Sequence, residues 1–173
     1  GEQIEFYQNA DGDYRLVVID TYLAYVNEVV TEKTDSKNHI TRDAYMSLDV
    51  YKTSSDPVTL YVKGNDYAEE DWVLVNVNEK VDVSIIRTTN KAAQESDLVE
   101  IVAKAESFEG AQTETYLKST KRTIDKKDYD VADNFYKDDA GLDGSVKYTW
   151  FLDQFGNLIG NDDVDTTSYA VLK

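Results

Sequence analysis

The sequence predicts an all-β fold, and three features of the 173-residue chain support this prediction. Short runs of β-branched and aromatic residues alternate with turn signals about every eight to twelve residues, and the chain contains a single proline. Val146–Gly160 has the pattern of a β-hairpin, because Asp153–Asn157 supplies the Gly and Asn that a tight reversal needs. Trp72–Ile86 repeats the pattern about seventy-five residues earlier. We therefore predict two tandem small Greek-key β-barrel or β-sandwich modules built from hairpins, with one elongated sandwich as the alternative.

The first forty residues predict a hairpin, a long strand and a loop. Ile4–Gln8 alternates as a strand does, and Asn9–Gly12 predicts the turn into a second strand at Tyr14–Ile19. Tyr22–Val30 carries apolar residues on both faces, as a strand covered on both sides would. Thr31–Arg42 is polar and has no period, so we predict an exposed loop there.

Two half-buried strands follow in the first module. Ala44–Tyr51 alternates strictly between apolar residues and polar or tyrosine residues. Pro57 interrupts this pattern, and Val58–Lys63 resumes it as a second strand. Gly64–Asp71 is acidic and predicts the turn before the hairpin that begins at Trp72.

The second module has a less certain beginning and a lower hydrophobicity. Thr88–Asp97 is polar and predicts a boundary between modules. Leu98–Phe108 fits a helix and a strand equally well, and its β surroundings favour a strand. Short strands are expected at Thr113–Leu117 and Lys121–Asp125, with a turn at Lys126–Asp128.

The remaining segments complete this organisation. Tyr129–Val131 predicts a return strand, and Ala132–Ser145 predicts an acidic loop that could contain one helical turn. Asn161–Ser168 is a polar linker, and Tyr169–Leu172 predicts the first strand of a following module. The sequence thus predicts β-module 1 at residues 1–90, β-module 2 at 91–163, and a linker with a new strand at 164–173, as in a piece of a longer chain.

Charge and composition narrow the classes of function. Thirty-four acidic residues against eighteen basic ones give a net charge of −16 and a pI near 4.3. This charge disfavours nucleic acids and anionic membrane surfaces as partners, and leaves cations and basic partners as candidates. No apolar run approaches the ~20 residues that cross a bilayer, so no membrane insertion is expected. The absence of cysteine excludes disulfides, thiolate catalysis and sulfur-ligated metals.

Few residues are candidates for chemistry. His39 is the only histidine, and nothing in its polar stretch supplies partners for a triad or a zinc site. Among thirty-four acids close carboxylate pairs arise by chance, so we predict no enzyme and no catalytic or cofactor-binding residues. Calcium at acidic loops is the one cofactor considered, although solvated, turn-forming acids are the favoured interpretation and no EF-hand loop occurs. The acids in predicted loops are Asp11, Asp13, Asp138, Asp139, Asp143, Asp162, Asp163 and Asp165.

Tyrosines on the outward sides of two predicted strands are the candidate binding residues. Tyr45, Tyr51 and Tyr61 share this outward side with Asp49, as the aromatic residues of a carbohydrate-binding surface would. Tyrosine is also a good strand former with an amphipathic ring, and this explanation is the favoured one.

Four segments together resemble the β-rich modules of bacterial cell-surface proteins that carry S-layer homology (SLH) domains. Val17–Ala24 is similar to a recurrent strand of these proteins, and Asp71–Val75 is similar to another, with Trp72 where the family commonly has Tyr. Ala105–Gly110 resembles the crossing between modules, and Tyr148–Ile159 resembles the segment that ends a module. The resemblance spans most of the chain.

The resemblance implies an extracellular location in the bacterial cell envelope or S-layer, and it offers no catalytic residues. We therefore expect a non-enzymatic structural or spacer module of a secreted surface protein. Its partners would be neighbouring modules of the same chain. The alternative is a carbohydrate- or host-protein-binding module that uses exposed tyrosines, with cell-wall or host glycans or proteins as partners.

Overall fold

A computed structural model of the chain describes residues 2–8, 10–51, 57–77, 99–113, 120–136 and 146–164. Every regular secondary-structure element in these ranges is a β-strand, which confirms the predicted all-β class. No helix of the described part is long and apolar enough to cross a membrane. In chain order the strands are β1 (Glu2–Gln8), β2 (Tyr14–Val30), β3 (Lys33–Thr34), β4 (Ile40–Arg42), β5 (Tyr45–Tyr51), β6 (Val58–Lys63), β7 (Trp72–Val77), β8 (Val99–Lys104), β9 (Glu106–Ala111), β10 (Lys121–Ile124), β11 (Lys127–Tyr136), β12 (Lys147–Leu152) and β13 (Leu158–Asp163).

The first sheet is organised around β2 and has the order β6-β5-β2-β7-β8, with β1 also paired to β2. The 17 residues of β2 allow it to pair with β1 along Tyr14–Asp20 and with β5 and β7 further along. The β1–β2 pairing confirms the predicted first hairpin. The sheet curls so that β6 approaches β8. Its concave face encloses a core of apolar side chains: Ala24, Val26, Met46, Leu48, Val50, Leu60, Val62, Val73, Val75, Val77 and Val99.

The second sheet closes into a small barrel with the order β10-β11-β13-β12-β9. β11 and β13 run parallel, and the other neighbours are antiparallel. The barrel closes where Gln112, just after β9, forms a bridge with Ile124 of β10. The Asp125 amide also donates to the Ala111 carbonyl at 3.0 Å. The interior contains Phe108, Ile124, Tyr129, Val131, Phe135, Tyr148, Trp150, Leu152 and Leu158.

Gly110 allows this closure. A Cβ at Gly110 would lie 2.5 Å from Ile124 Cγ2, so only glycine permits β9 to come this close to β10. The Gly110 carbonyl also accepts a hydrogen bond of 2.9 Å from the Trp150 indole Nε1, which satisfies the only polar atom of that buried side chain.

The two sheets share an apolar interface, which we call the junction core. Its members are Leu23 of β2, Leu74 of β7, Ala105, Ala132 of β11, Phe151 of β12 and Ile159 of β13, with Trp72 packed against them. Ala105 is the single residue between β8 in one sheet and β9 in the other, and its amide donates to the Trp72 carbonyl at 2.9 Å. Leu23 and the adjacent Ala24 are both fully buried, on opposite faces of β2. This confirms the predicted cover on both sides for Tyr22–Val26. Asn27 and Glu28 are exposed, so the prediction was wrong for the end of the Tyr22–Val30 segment.

The strand interpretation of Leu98–Phe108 is confirmed, because β8 and the first half of β9 occupy this segment. The predicted module boundary after residue 90 lies outside the described residues. The first sheet takes its last strand, β8, from beyond that position. The division into two modules stays a prediction.

Four local predictions were wrong. Thr31–Arg42 is exposed but contains the two-stranded β3–β4 hairpin, so it is not a loop throughout. Ala132–Tyr136 continues β11, because Ala132 faces the junction core while Val131 and Phe135 face the barrel interior. Asn161–Asp163 continues β13, because it pairs with Tyr148–Trp150 of β12. The β10–β11 turn lies at Asp125–Lys126 and not at Lys126–Asp128. Asp125 and Lys126 both adopt the positive φ that a two-residue hairpin turn requires.

Several predicted segments lie wholly or partly outside the described residues. They are the return half of the Trp72–Ile86 hairpin, Thr88–Asp97, most of Thr113–Leu117, the later part of Ala132–Ser145, the second half of Asn161–Ser168, and Tyr169–Leu172. The Val146–Gly160 hairpin is confirmed as β12–β13.

Candidate functional site

Aromatic rings from both sheets meet beside the junction core. Trp72 of β7 lies opposite Tyr25 of β2 in the strand register, and their ring centroids are 5.1 Å apart. The Trp72 ring also lies 5.4 Å from Tyr51 and 4.7 Å from Phe151 of the barrel. Tyr51 in turn lies 4.1 Å from Tyr136 of β11. We call Tyr25, Tyr51, Trp72, Tyr136 and Phe151 the junction cluster; its first four members are half-buried.

The surroundings of the junction cluster are acidic. Burial raises the pKa of Tyr51 to about 12, and Tyr136, Asp49 and Asp162 add to this increase. Burial also raises the pKa of Tyr25, again with help from Asp49 and Asp162 and from Glu70. The phenols therefore stay protonated at neutral pH. Aromatic faces beside carboxylates can stack on sugar rings, accept hydrogen bonds from hydroxyls and attract cations.

The structure separates the three tyrosines that the sequence placed on one outward side. Tyr45 of β5 and Tyr61 of β6 form an edge-to-face pair with centroids 5.9 Å apart. Tyr51 lies at the other end of β5, about 20 Å from Tyr45 at roughly 3.3 Å per residue. It belongs to the junction cluster instead. Strand alternation identified the face of each tyrosine, but the contact with Tyr136 depends on how the barrel packs.

His39 is exposed in the β3–β4 turn, where the sequence predicted a solvated loop histidine. Its Nδ1 lies 3.2 Å from Asp35 Oδ2. The pKa of Asp35 is lowered by hydrogen bonds from the His39 and Lys37 amides. These contacts shape the turn and bring no third group for nucleophilic catalysis.

The acids considered for calcium are scattered where the structure describes them. Asp11 and Asp13 are exposed before β2, and Asp162 and Asp163 lie at the end of β13. Within the described ranges no three His, Asp or Glu side chains form a group that could hold a metal. Asp138, Asp139, Asp143 and Asp165 lie outside those ranges. Calcium binding stays a prediction, and a calcium-dependent rise in melting temperature would confirm it.

The barrel interior contains polar residues that the sequence analysis did not single out. Arg122 is a buried residue, and its guanidinium lies 4.3 Å above the Phe135 ring and donates to Gln112 Oε1 at 3.4 Å. Burial lowers its pKa. Asn161 is almost fully buried, and its Oδ1 has no hydrogen-bond partner among the described residues. Alternation with Ile124 on β10 could have placed Arg122 inside, but its charge argued for the surface.

The fold and its sites define an all-β protein in which a curled sheet and a five-stranded barrel share one interface lined by aromatic rings. Comparisons with protein-family models, with curated proteins and with solved structures find no match.

Proposed function

We propose that this chain is a non-enzymatic structural or spacer module of a secreted bacterial cell-surface protein associated with the S-layer. The observation that carries the spacer role is the junction core, in which side chains from both sheets are buried together. The proposed cell-surface location is supported by the sequence resemblance alone. A spacer must transmit position and force along its length without folding at a hinge. Two sheets that bury a common set of apolar residues resist such bending, because separating them exposes those residues to water.

Polar contacts across the same interface support this role. Asn134 Nδ2 of β11 donates to the Thr21 carbonyl at 3.2 Å, and Gln154 Nε2 donates to Thr21 Oγ1 at 3.1 Å. These hydrogen bonds fix the rotation of the barrel on β2, which apolar packing alone leaves less specific. The net charge of −16 favours solubility of the chain and causes neighbouring copies of it to repel one another.

Surface labelling of cells tests the proposed location. Antibodies raised against the purified chain should label intact cells of the organism that produces it, without permeabilisation. Labelling that requires broken cells would contradict a cell-surface module. A parallel glycan array should give no signal if the chain acts as a spacer.

A second candidate function is a carbohydrate- or host-protein-binding surface module. The half-buried rings of Tyr25, Tyr51 and Trp72 beside Asp49 favour it, because stacked rings with adjacent carboxylates are suited to sugar recognition. A positive glycan array would be followed by Tyr25→Ala and by a Tyr45→Ala/Tyr61→Ala control. Loss of binding in the first variant alone would assign the ligand to the junction cluster. Loss in the control alone would assign it to the Tyr45–Tyr61 pair.

A further inference from the structure

Tyr51 and Tyr136 form the closest ring pair among the described residues, and they belong to different sheets. Their ring centroids are 4.1 Å apart and the ring planes are inclined by 45°. Strand pairing holds both backbones: Tyr51 lies opposite Leu23 in the first sheet, and Tyr136 lies beside Gly160 in the barrel. Both side chains are only half-buried, so small oxidants can reach them.

We propose that Tyr51 and Tyr136 form a dityrosine cross-link that ties the first sheet to the barrel when the protein meets a one-electron oxidant. Each phenol loses one electron to the oxidant and its hydroxyl proton to a base, which gives two tyrosyl radicals. The radicals join through one ortho ring carbon each, and each ortho hydrogen then moves to the phenolic oxygen. Two electrons and two protons leave in total, so the product has two hydrogens fewer than the starting chain.

The neighbours of this pair suit each part of the reaction. Trp72 lies 5.4 Å from Tyr51 and 5.1 Å from Tyr25, so these rings form a relay through which an electron can leave toward solvent. Asp49 lies two residues before Tyr51 on the same side of β5 and opposite Tyr25 of β2, so its carboxylate or the adjoining solvent can receive the protons. The barrel and the first sheet fix the rings in contact, which favours coupling within the chain over coupling between chains.

The bond would join residues 85 positions apart in the chain (136 minus 51). A cross-link of this span restricts the unfolded chain, and here it also connects two sheets that packing and hydrogen bonds otherwise hold. We expect the melting temperature to rise after oxidation. The proposal does not depend on the spacer function, although covalent coupling of the sheets would serve it.

The test uses photo-oxidation of the full chain with tris(bipyridine)ruthenium and persulfate at low protein concentration. The monomer is then isolated by gel filtration, digested with trypsin and analysed by mass spectrometry. The cross-link should join peptide 43–52 to peptide 128–137, with the mass of two hydrogens lost. The Tyr45–Tyr61 pair is the control within the chain, since its rings are 5.9 Å apart and edge-to-face, and its product would join 43–52 to 53–63.

Two variants assign the product, because each peptide contains a second tyrosine. Tyr51→Phe and Tyr136→Phe keep the rings and the packing, and each should abolish the 43–52/128–137 product while the melting temperature before oxidation stays close to wild type. Three results would overturn the proposal: no dityrosine in the monomer, a 43–52/53–63 product at equal or higher yield, or persistence of the 43–52/128–137 product in either variant.

Discussion

Burial of the Tyr51 phenol makes the folded chain sensitive to alkali. Its pKa is about 12 in the folded chain against an ordinary value of 10.0, mainly because of burial. Above pH 10 the unfolded chain loses this proton while the folded chain keeps it. Stability is therefore unaffected by this group below pH 10 and falls as the pH rises from 10 toward 12. Urea denaturation at intervals across this range should show a shallower decline for Tyr51→Phe than for wild type. Equal declines would show that the phenol is not buried as described.

Arg122 provides a test of what a buried charge contributes to the barrel. No described carboxylate forms an ion pair with its guanidinium, which contacts the Phe135 ring and Gln112. Removing an unpaired buried charge while keeping the volume is expected to be close to neutral or stabilising. Arg122→Met should therefore change the free energy of unfolding by less than about 1 kcal/mol. Arg122→Ala also leaves a cavity and should cost about 2–4 kcal/mol, measured by urea denaturation. A Met variant as unstable as the Ala variant would mean that the guanidinium itself stabilises the barrel.

The sequence predicted the outward side of the tyrosines but not their contacts, and it did not predict the buried position of Arg122. Alternation in β5 and β6 placed Tyr45, Tyr51 and Tyr61 on one side of the sheet. It could not show that Tyr51 meets Tyr136, because that contact depends on the packing of a barrel formed about eighty residues later. The position of Arg122 inside the barrel was missed for a different reason. Composition places arginine at the surface, and only the closure of β9 on β10 puts this face of β10 inside.

Two hairpins use the same five-residue turn. In Asp35–His39 and in Asp153–Asn157, the first aspartate accepts hydrogen bonds from the amides two and four residues later. The fourth residue has positive φ in both turns, 62° at Asn38 and 82° at Gly156. The side chain of the fifth residue also contacts the aspartate, through His39 Nδ1 or Asn157 Nδ2. The shared pattern is Asp, two variable residues, then Asn or Gly.

This turn explains one success and one failure of the sequence analysis. The Asp153 turn was predicted because strongly apolar strands flank it. The Asp35 turn carries the same local signal, but β3 and β4 are two and three residues long and fully exposed, so hydrophobic alternation could not identify them. Turn chemistry alone could have predicted that hairpin, but it was not used there.

The two aspartates form a matched pair for mutation. Asp153 is buried between β12 and β13, and its two carboxylate oxygens accept three hydrogen bonds of 2.8 to 3.0 Å. Asp153→Ala leaves those donors without a partner at the end of the barrel hairpin and should lower the free energy of unfolding by about 2–3 kcal/mol. Asp35→Ala removes the same arrangement from an exposed hairpin and should leave global unfolding unchanged. Urea denaturation of both variants measures the difference. A comparable loss in both would mean that the exposed hairpin is part of the cooperative unit.

At the scale of the whole molecule, β2 joins the two sheets, because one of its faces packs in the core of the first sheet and the other packs against the barrel. Its apolar residues on both faces predicted correctly that something covers each side. The sequence could not identify the second cover, since the residues that form it lie in β11, β12 and β13 and their pairing includes a parallel contact between distant strands. The first sheet and the barrel therefore meet through a buried interface, a feature that the pattern of any one hairpin does not contain.

The junction core predicts that the first sheet and the barrel unfold as one unit. The two tryptophans report on different places, since Trp150 is inside the barrel and Trp72 packs against the junction core from the first sheet. Trp72→Phe and Trp150→Phe each leave one tryptophan. In each variant, thermal unfolding followed by tryptophan fluorescence should coincide with unfolding followed by far-UV circular dichroism.

Leu23→Ala removes a fully buried side chain of the junction core and should cost about 2–5 kcal/mol. Because the two sheets unfold as one unit, Leu23→Ala should shift the unfolding transitions reported by Trp72 and by Trp150 by the same amount. Leu48→Ala alters the core of the first sheet alone and should also shift both reporters, because unfolding of the first sheet removes Leu23 from the junction core. Two separate transitions in either variant would mean that the sheets are independent modules in contact, and the structural basis of the spacer proposal would be lost.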